Sequence, residues 1–86
     1  MDVERIERAL RKIGDPGLEV AAWRIETGPD ATGDPSVWVW VILESDVRDF
    51  KPLGDFRERV RSAVLKVAPE AQHAYVRFRT VQEESA

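Results

Sequence analysis

The sequence contains no cysteine, which excludes disulfide staples and thiolate metal sites. It contains one histidine, His73. A hydrolytic triad needs a nucleophile, a base and an orienting group in mutual contact, and no nucleophile motif surrounds any serine. No apolar run approaches the ~20 residues of a membrane-spanning helix. The start, Met1-Asp2-Val3-Glu4-Arg5, is charged and helix-like, unlike a secretory leader. No phosphate-binding P-loop, no G-x-G-x-x-G pattern, no internal repeat and no low-complexity tract is present. A basic surplus is also missing. The formal net charge is −3 and the sequence pI is about 5.1, whereas nucleic-acid binders usually carry excess positive charge to neutralise phosphates. These absences predict a cytoplasmic, non-enzymatic protein with no cofactor, no metal and no catalytic residue to name.

What remains is a foldable chain of 86 residues, 43% apolar, too apolar for disorder throughout and too short for two domains. Residues 1–86 are expected to form one domain with 82–86 as a frayed tail. A domain of this size buries only roughly 60–65% of its unfolded surface, so help from an oligomer or partner is expected.

Val3, Ile6, Leu10 and Ile13 recur at helical spacing over residues 2–13, with Asp2 as cap and Glu7 and Arg11 four apart. Gly14-Asp15-Pro16-Gly17 is read as the stop. A strand is predicted from Leu18 to Thr27, a polar turn from Gly28 to Pro35, and a strand from Ser36 to Glu44. In the last of these, Val37, Val39, Val41 and Leu43 share one face and Trp38, Trp40 and Ile42 the other. After a charged connection, Ser45–Pro52, a helix is predicted from about Leu53 or Asp55 to Ala68, with Phe56, Val60, Ala63, Val64 and Val67 as its stripe. Asp55 and Glu58 resemble a capping box there. Pro69 stops it, and a third strand spans about Ala74 to Gln82. The order α-β-β-α-β predicts an α+β two-layer sandwich: a three-stranded sheet with two helices on one face. Whether the third strand pairs with the first or the second is open.

Strand periodicity then says what the uncovered face displays. Trp38, Trp40 and Ile42 point away from the helices. With Ala74, Val76, Phe78 and Thr80 inward, Tyr75, Arg77, Arg79 and Val81 join them. The first strand allows either Val20 and Ala22, or Ala21, Trp23 and Ile25, to face inward. Trp23 and Ile25 inside is favoured, with Arg24 and Glu26 outside. Trp, Tyr and Arg are enriched at interface hot spots, and a contiguous exposed apolar patch usually marks a contact. Trp38, Trp40, Ile42, Tyr75, Arg77 and Arg79 are therefore the candidate binding residues. The alternative is that the Arg77 and Arg79 stems cover the indoles by stacking.

Other charged groups read as surface. His73 precedes the last strand and is expected at its exposed edge. Glu44, Asp46 and Asp49 lie in a connection that also holds Arg48 and Lys51, and read as solvated charge rather than a Mg²⁺ or acid–base pair. Asp30 and Asp34 lack calcium-loop spacing and read as turn formers. Arg57, Arg59 and Arg61 alternate with acidic residues on the second helix and read as a solvated surface.

Gly33-Asp34-Pro35, Val37/Val39/Val41, Leu53-Gly54 with Arg57, Arg61 and Val64, and Tyr75-Val76-Arg77-Phe78 together resemble small, uncharacterised bacterial α/β proteins often encoded beside helical HEPN-type proteins. That resemblance implies a protein-partner role, as in toxin–antitoxin-like modules, and transfers no catalytic residue. The element order is also similar to the dimeric cytoplasmic domain of cation-efflux transporters, whose His and acidic ligands are mostly lacking here. Asp15-Pro16 before a long hairpin resembles KH-type ribosome-binding factors, although the small-residue kink between helices is absent. The expected function is a protein-interaction module that dimerises or binds a partner through the aromatic and arginine-rich face. RNA or single-stranded nucleic-acid binding by base stacking, or a transporter-like dimerisation domain, are the alternatives.

Overall fold

The computed structural model describes residues 1–13, 19–44 and 51–85, and the side chains of all of these except 51, 52 and 85. Helix α1 (Val3–Arg11) begins where Asp2 accepts a hydrogen bond from the Arg5 N–H at 3.2 Å, satisfying a donor the first turn cannot use. Ile6 and Leu10 are both 1% exposed, and Glu7 binds Arg11 at 2.9 Å. The proposed stop, residues 14–17, and Leu18 lie outside the described residues.

Strands β1 (Val20–Pro29) and β2 (Pro35–Leu43) pair antiparallel, and β3 (His73–Thr80) pairs parallel to β2. The sheet order is β1-β2-β3, which settles the open pairing: β3 lies beside β2, so β1 and β3 are the edges. Helix α2 (Lys51–Val67) makes the crossover. It starts earlier than expected, so Asp55 lies inside it and cannot be its cap. Pro52 falls in its first turn, where the missing N–H costs nothing. The connection at 45–50, with Asp46, Arg48 and Asp49, lies outside the described residues.

Both helices cover one sheet face. Val37, Val39 and Val41 have no exposed surface, and neither do Phe56, Val60 and Val64 of α2. Phe56 is the centre of this layer, with Trp23 at 6.0 Å and Phe78 at 6.5 Å between ring centroids. Arg59 of α2 donates to the Ile13 carbonyl at 2.6 Å, tying the helices together. Trp23 and Ile25 pack inward and Arg24 and Glu26 outward, as favoured. Val20 packs inward as well. A register shift between Val20 and Ala22 adds the residue that turns Val20 to the face of Trp23, so the two sets were not exclusive.

Residues Val81–Ser85 form a third helix, α3, where a strand end and a loose tail were expected. Thr80 and Glu83 make a capping box. The Glu83 N–H donates to the Thr80 hydroxyl at 3.1 Å, and Glu83 accepts from the Thr80 N–H at 3.2 Å. The physical reason is plain: the box supplies partners for donors that would otherwise face water. Among the described residues no helix is long and apolar enough to cross a membrane.

Candidate functional site

The face opposite α1 and α2 is built by three strands in register. Glu26, Trp38 and Tyr75 form one row; Arg24, Trp40 and Arg77 the next; Ala22, Ile42 and Arg79 the third. The six candidate residues therefore do come together. Their environments differ along the strands.

At the Ile42 end, α3 lies against β2 and β3. Its Glu84 reaches Arg24 at 2.9 Å and Arg79 at 3.2 Å. Both arginines belong to the outward set, so α3 covers this end of the face. Ile42 is 4% exposed although its strand position points away from the main core. Arg79 also lays its guanidinium over Trp40, 4.3 Å from the ring, a cation–π contact on the diagonal between rows. The stacking anticipated for the arginines thus holds for Arg79. Arg77 is exposed, and no carboxylate among the described residues pairs with it. Exposed Glu26 is likewise without a charged partner among the described residues.

In the first row Trp38 stacks on Tyr75, with centroids 5.7 Å apart and planes 26° from parallel. Both indoles and the phenol are half-buried. The open part of the face is therefore Trp38, Tyr75, the outer side of Trp40, and Arg77.

The far end is closed by the β1–β2 turn. Gly33 has φ +86°, a left-handed conformation that suits glycine, and its N–H donates to the Asp30 carbonyl at 3.0 Å. Asp30 organises the loop. Its Oδ1 accepts from the Thr32 hydroxyl at 2.7 Å, the Thr32 N–H at 2.9 Å and the Asp34 N–H at 3.1 Å. Its Oδ2 accepts from the Tyr75 hydroxyl at 3.0 Å and lies 3.3 Å from the Ser36 hydroxyl. The Thr32 hydroxyl, foremost among these donors, holds the Asp30 carboxyl well below the usual carboxylate range against the opposing cost of desolvation. The same bond pushes the Tyr75 hydroxyl above its ordinary value, because losing its proton would set two anions together.

His73 stands at the start of edge strand β3 with its side chain 41% exposed, Nε2 3.3 Å from Asp34. Ligand atoms of Asp30, Asp34 and His73 all lie within 4.8 Å of one another, close enough to share a divalent cation. The bonds just described already engage both Asp30 oxygens, so the arrangement is accounted for as a turn. Sequence spacing gave no sign of it, since Asp34 and His73 meet only through β2–β3 pairing. Ser36 sits beside His73 in register, but it is fully buried. Its hydroxyl lies 3.0 Å from the Asp34 carbonyl, so it is not offered to a substrate. Glu44 is exposed at the end of β2, where its N–H donates to the Glu19 carbonyl at 3.0 Å.

One grouping was not legible in the sequence. Arg57 and Arg61 of α2 meet His73, Tyr75 and Arg77 of β3 around a cleft of about 170 Å³. Arg61 approaches Glu58 only at 4.0 Å, and Arg57 sits 5.4 Å from the Phe78 ring. These helix arginines are thus more than a uniform solvated surface: two of them join a local cationic site on an acidic chain. No protein-family model, curated protein or solved structure matches this chain.

Proposed function

We propose that this chain is a non-enzymatic protein-interaction module that self-associates through the open sheet face of Trp38, Trp40, Tyr75 and Arg77. The observation that carries the reading is the exposed Arg77, without a carboxylate partner among the described residues, beside two half-buried indoles and a stacked phenol. Large aromatics and arginine gain most from losing water at a contact.

Charge favours a second copy as occupant. Among the described residues, the face carries one cation without a charged partner, Arg77, and one such anion, Glu26, on opposite strands flanking the tryptophans. An isologous contact lets each Arg77 meet the partner's Glu26. The open area is small. Three strands spaced ~4.8 Å, over about five residues of ~3.3 Å, give a footprint of only roughly 250 Å², well below the ~800 Å² per partner of a standard interface. The dimer is therefore weak and concentration-dependent.

A dilution series of ¹⁵N-labelled protein followed by NMR tests this. Concentration-dependent shifts should gather on Trp38, Trp40, Tyr75 and Arg77. Shifts confined to the α1–α2 layer, or none, would oppose the reading. A helical HEPN-type protein, implied as partner by the sequence resemblance, is the next binding test on the same residues.

A further inference from the structure

The free edge of β3, flanked by Arg57, Arg61 and Arg77, points to a second docking element, and we infer that it takes an acidic, extended peptide segment as a fourth strand. The inference rests on the reading of this chain as a protein-interaction module and names the chemistry of a partner at the edge of β3, which adjoins the tryptophan face and shares Tyr75 and Arg77 with it.

Among the described residues, sheet order leaves β3 paired on one side only, so alternate residues of its outer edge direct backbone donors and acceptors away from β2. Such an edge accepts an added strand through main-chain hydrogen bonds, with side chains supplying specificity. Here the flanks are cationic. Arg57 and Arg61 stand on the α2 side, Arg77 on the side of the open face, and His73 lies at one end. The charge rejects a second copy at this edge, because β3 against β3 would bring the same arginines together. It complements a carboxylate-bearing strand.

The spacing matches too. Arg57 and Arg61 are four apart on a helix, which sets their Cβ atoms ~5–6 Å apart. Residues i and i+2 of an extended strand lie ~6.6 Å apart on one face. A segment with Glu or Asp at alternate positions can therefore present one carboxylate to each arginine. A polynucleotide is disfavoured by the chain's net charge of −3 and by Asp30 and Asp34 beyond His73, which repel phosphates at that end.

The test is an NMR titration of the ¹⁵N-labelled full chain with an end-blocked octapeptide alternating Glu and Val. An otherwise identical Lys and Val peptide and an eight-nucleotide oligouridine are the controls. The expected result is amide shifts along 73–78 and at Arg57 and Arg61 with the acidic peptide alone. The double variant Arg57→Glu/Arg61→Glu should bind it at least ~5-fold more weakly, as expected for losing two exposed ion pairs. Both changes lie on exposed helix positions; a matching spectrum away from these sites would show that the fold persists. Equal response to the lysine peptide, binding of the oligonucleotide instead, or no shift on β3 would overturn the inference. Dilution-dependent shifts on Trp38 and Trp40 that persist in any of those cases would leave the face reading standing; their absence would remove that reading alone.

Discussion

Glu84 is the residue on which the covering of the open face turns. Helix α3 has five residues, and fixing their backbone costs about 5–10 kcal/mol at ~1–2 kcal/mol each. Against this stand the capping box, the burial of Ile42 and the two Glu84–arginine pairs. Covering an isoleucine contributes ~1.5–3 kcal/mol and a cap ~1 kcal/mol, so docking has no surplus and each contact counts. Arg24 and Arg79 are 55% and 41% exposed at their side chains, so solvent screening limits each pair to ~0.5 kcal/mol, or about 1 kcal/mol together. Glu84→Ala should therefore shift α3 substantially toward the undocked state. Amide exchange at 81–85 should rise sharply, while the melting temperature should fall by less than the ~4–8 °C that a full ~1 kcal/mol would give a chain this size, because undocking caps the loss. Undocking would also bare Ile42 and enlarge the sticky face, so association should strengthen. Unchanged exchange in α3 would refute the assignment of Glu84 as its clasp.

Three further outcomes follow from the core and the turn. Phe56→Ala removes a ring with no exposed surface between Trp23 and Phe78 and should cost ~3–5 kcal/mol in urea unfolding; a loss under ~1 kcal/mol would contradict its central place. Asp30 has a folded-state pKa below its unfolded one, so its contribution is present above the ordinary carboxylate range and fades as pH falls through it. Asp30→Asn should accordingly flatten the acid limb of stability between about pH 5 and 2, measured by urea midpoints. Tyr75 has the opposite sign: its raised pKa means a contribution held at neutral pH and lost as pH rises beyond ~10, and Tyr75→Phe should abolish that alkaline loss.

The parts of the fold that depend on local periodicity were legible in the sequence. The alternation from Val37 to Leu43 assigned both faces of β2, and the outward set on β3 followed from Tyr75, Arg77 and Arg79. The β1 faces were harder because a bulge adds a residue, and alternation cannot register an insertion. The capping signal Thr80-Val81-Gln82-Glu83 is present in the sequence, but the segment reads as the end of a strand and a frayed tail, so α3 was missed. What it covers could not be read at all, since Arg24, Arg79 and Glu84 meet only through the sheet. The same holds for Arg57 and Arg61 beside Arg77, which helical and strand periods place on separate elements without saying that they adjoin.

Light scattering of the purified chain across a wide concentration range reads out self-association through the tryptophan face. The expected mass is 9.8 kDa when dilute, rising toward twice that value as concentration increases, and a Trp40→Glu variant should fold but stay at the monomer mass. A wild-type mass fixed at the monomer value throughout, or a variant that associates like the wild type, would contradict it.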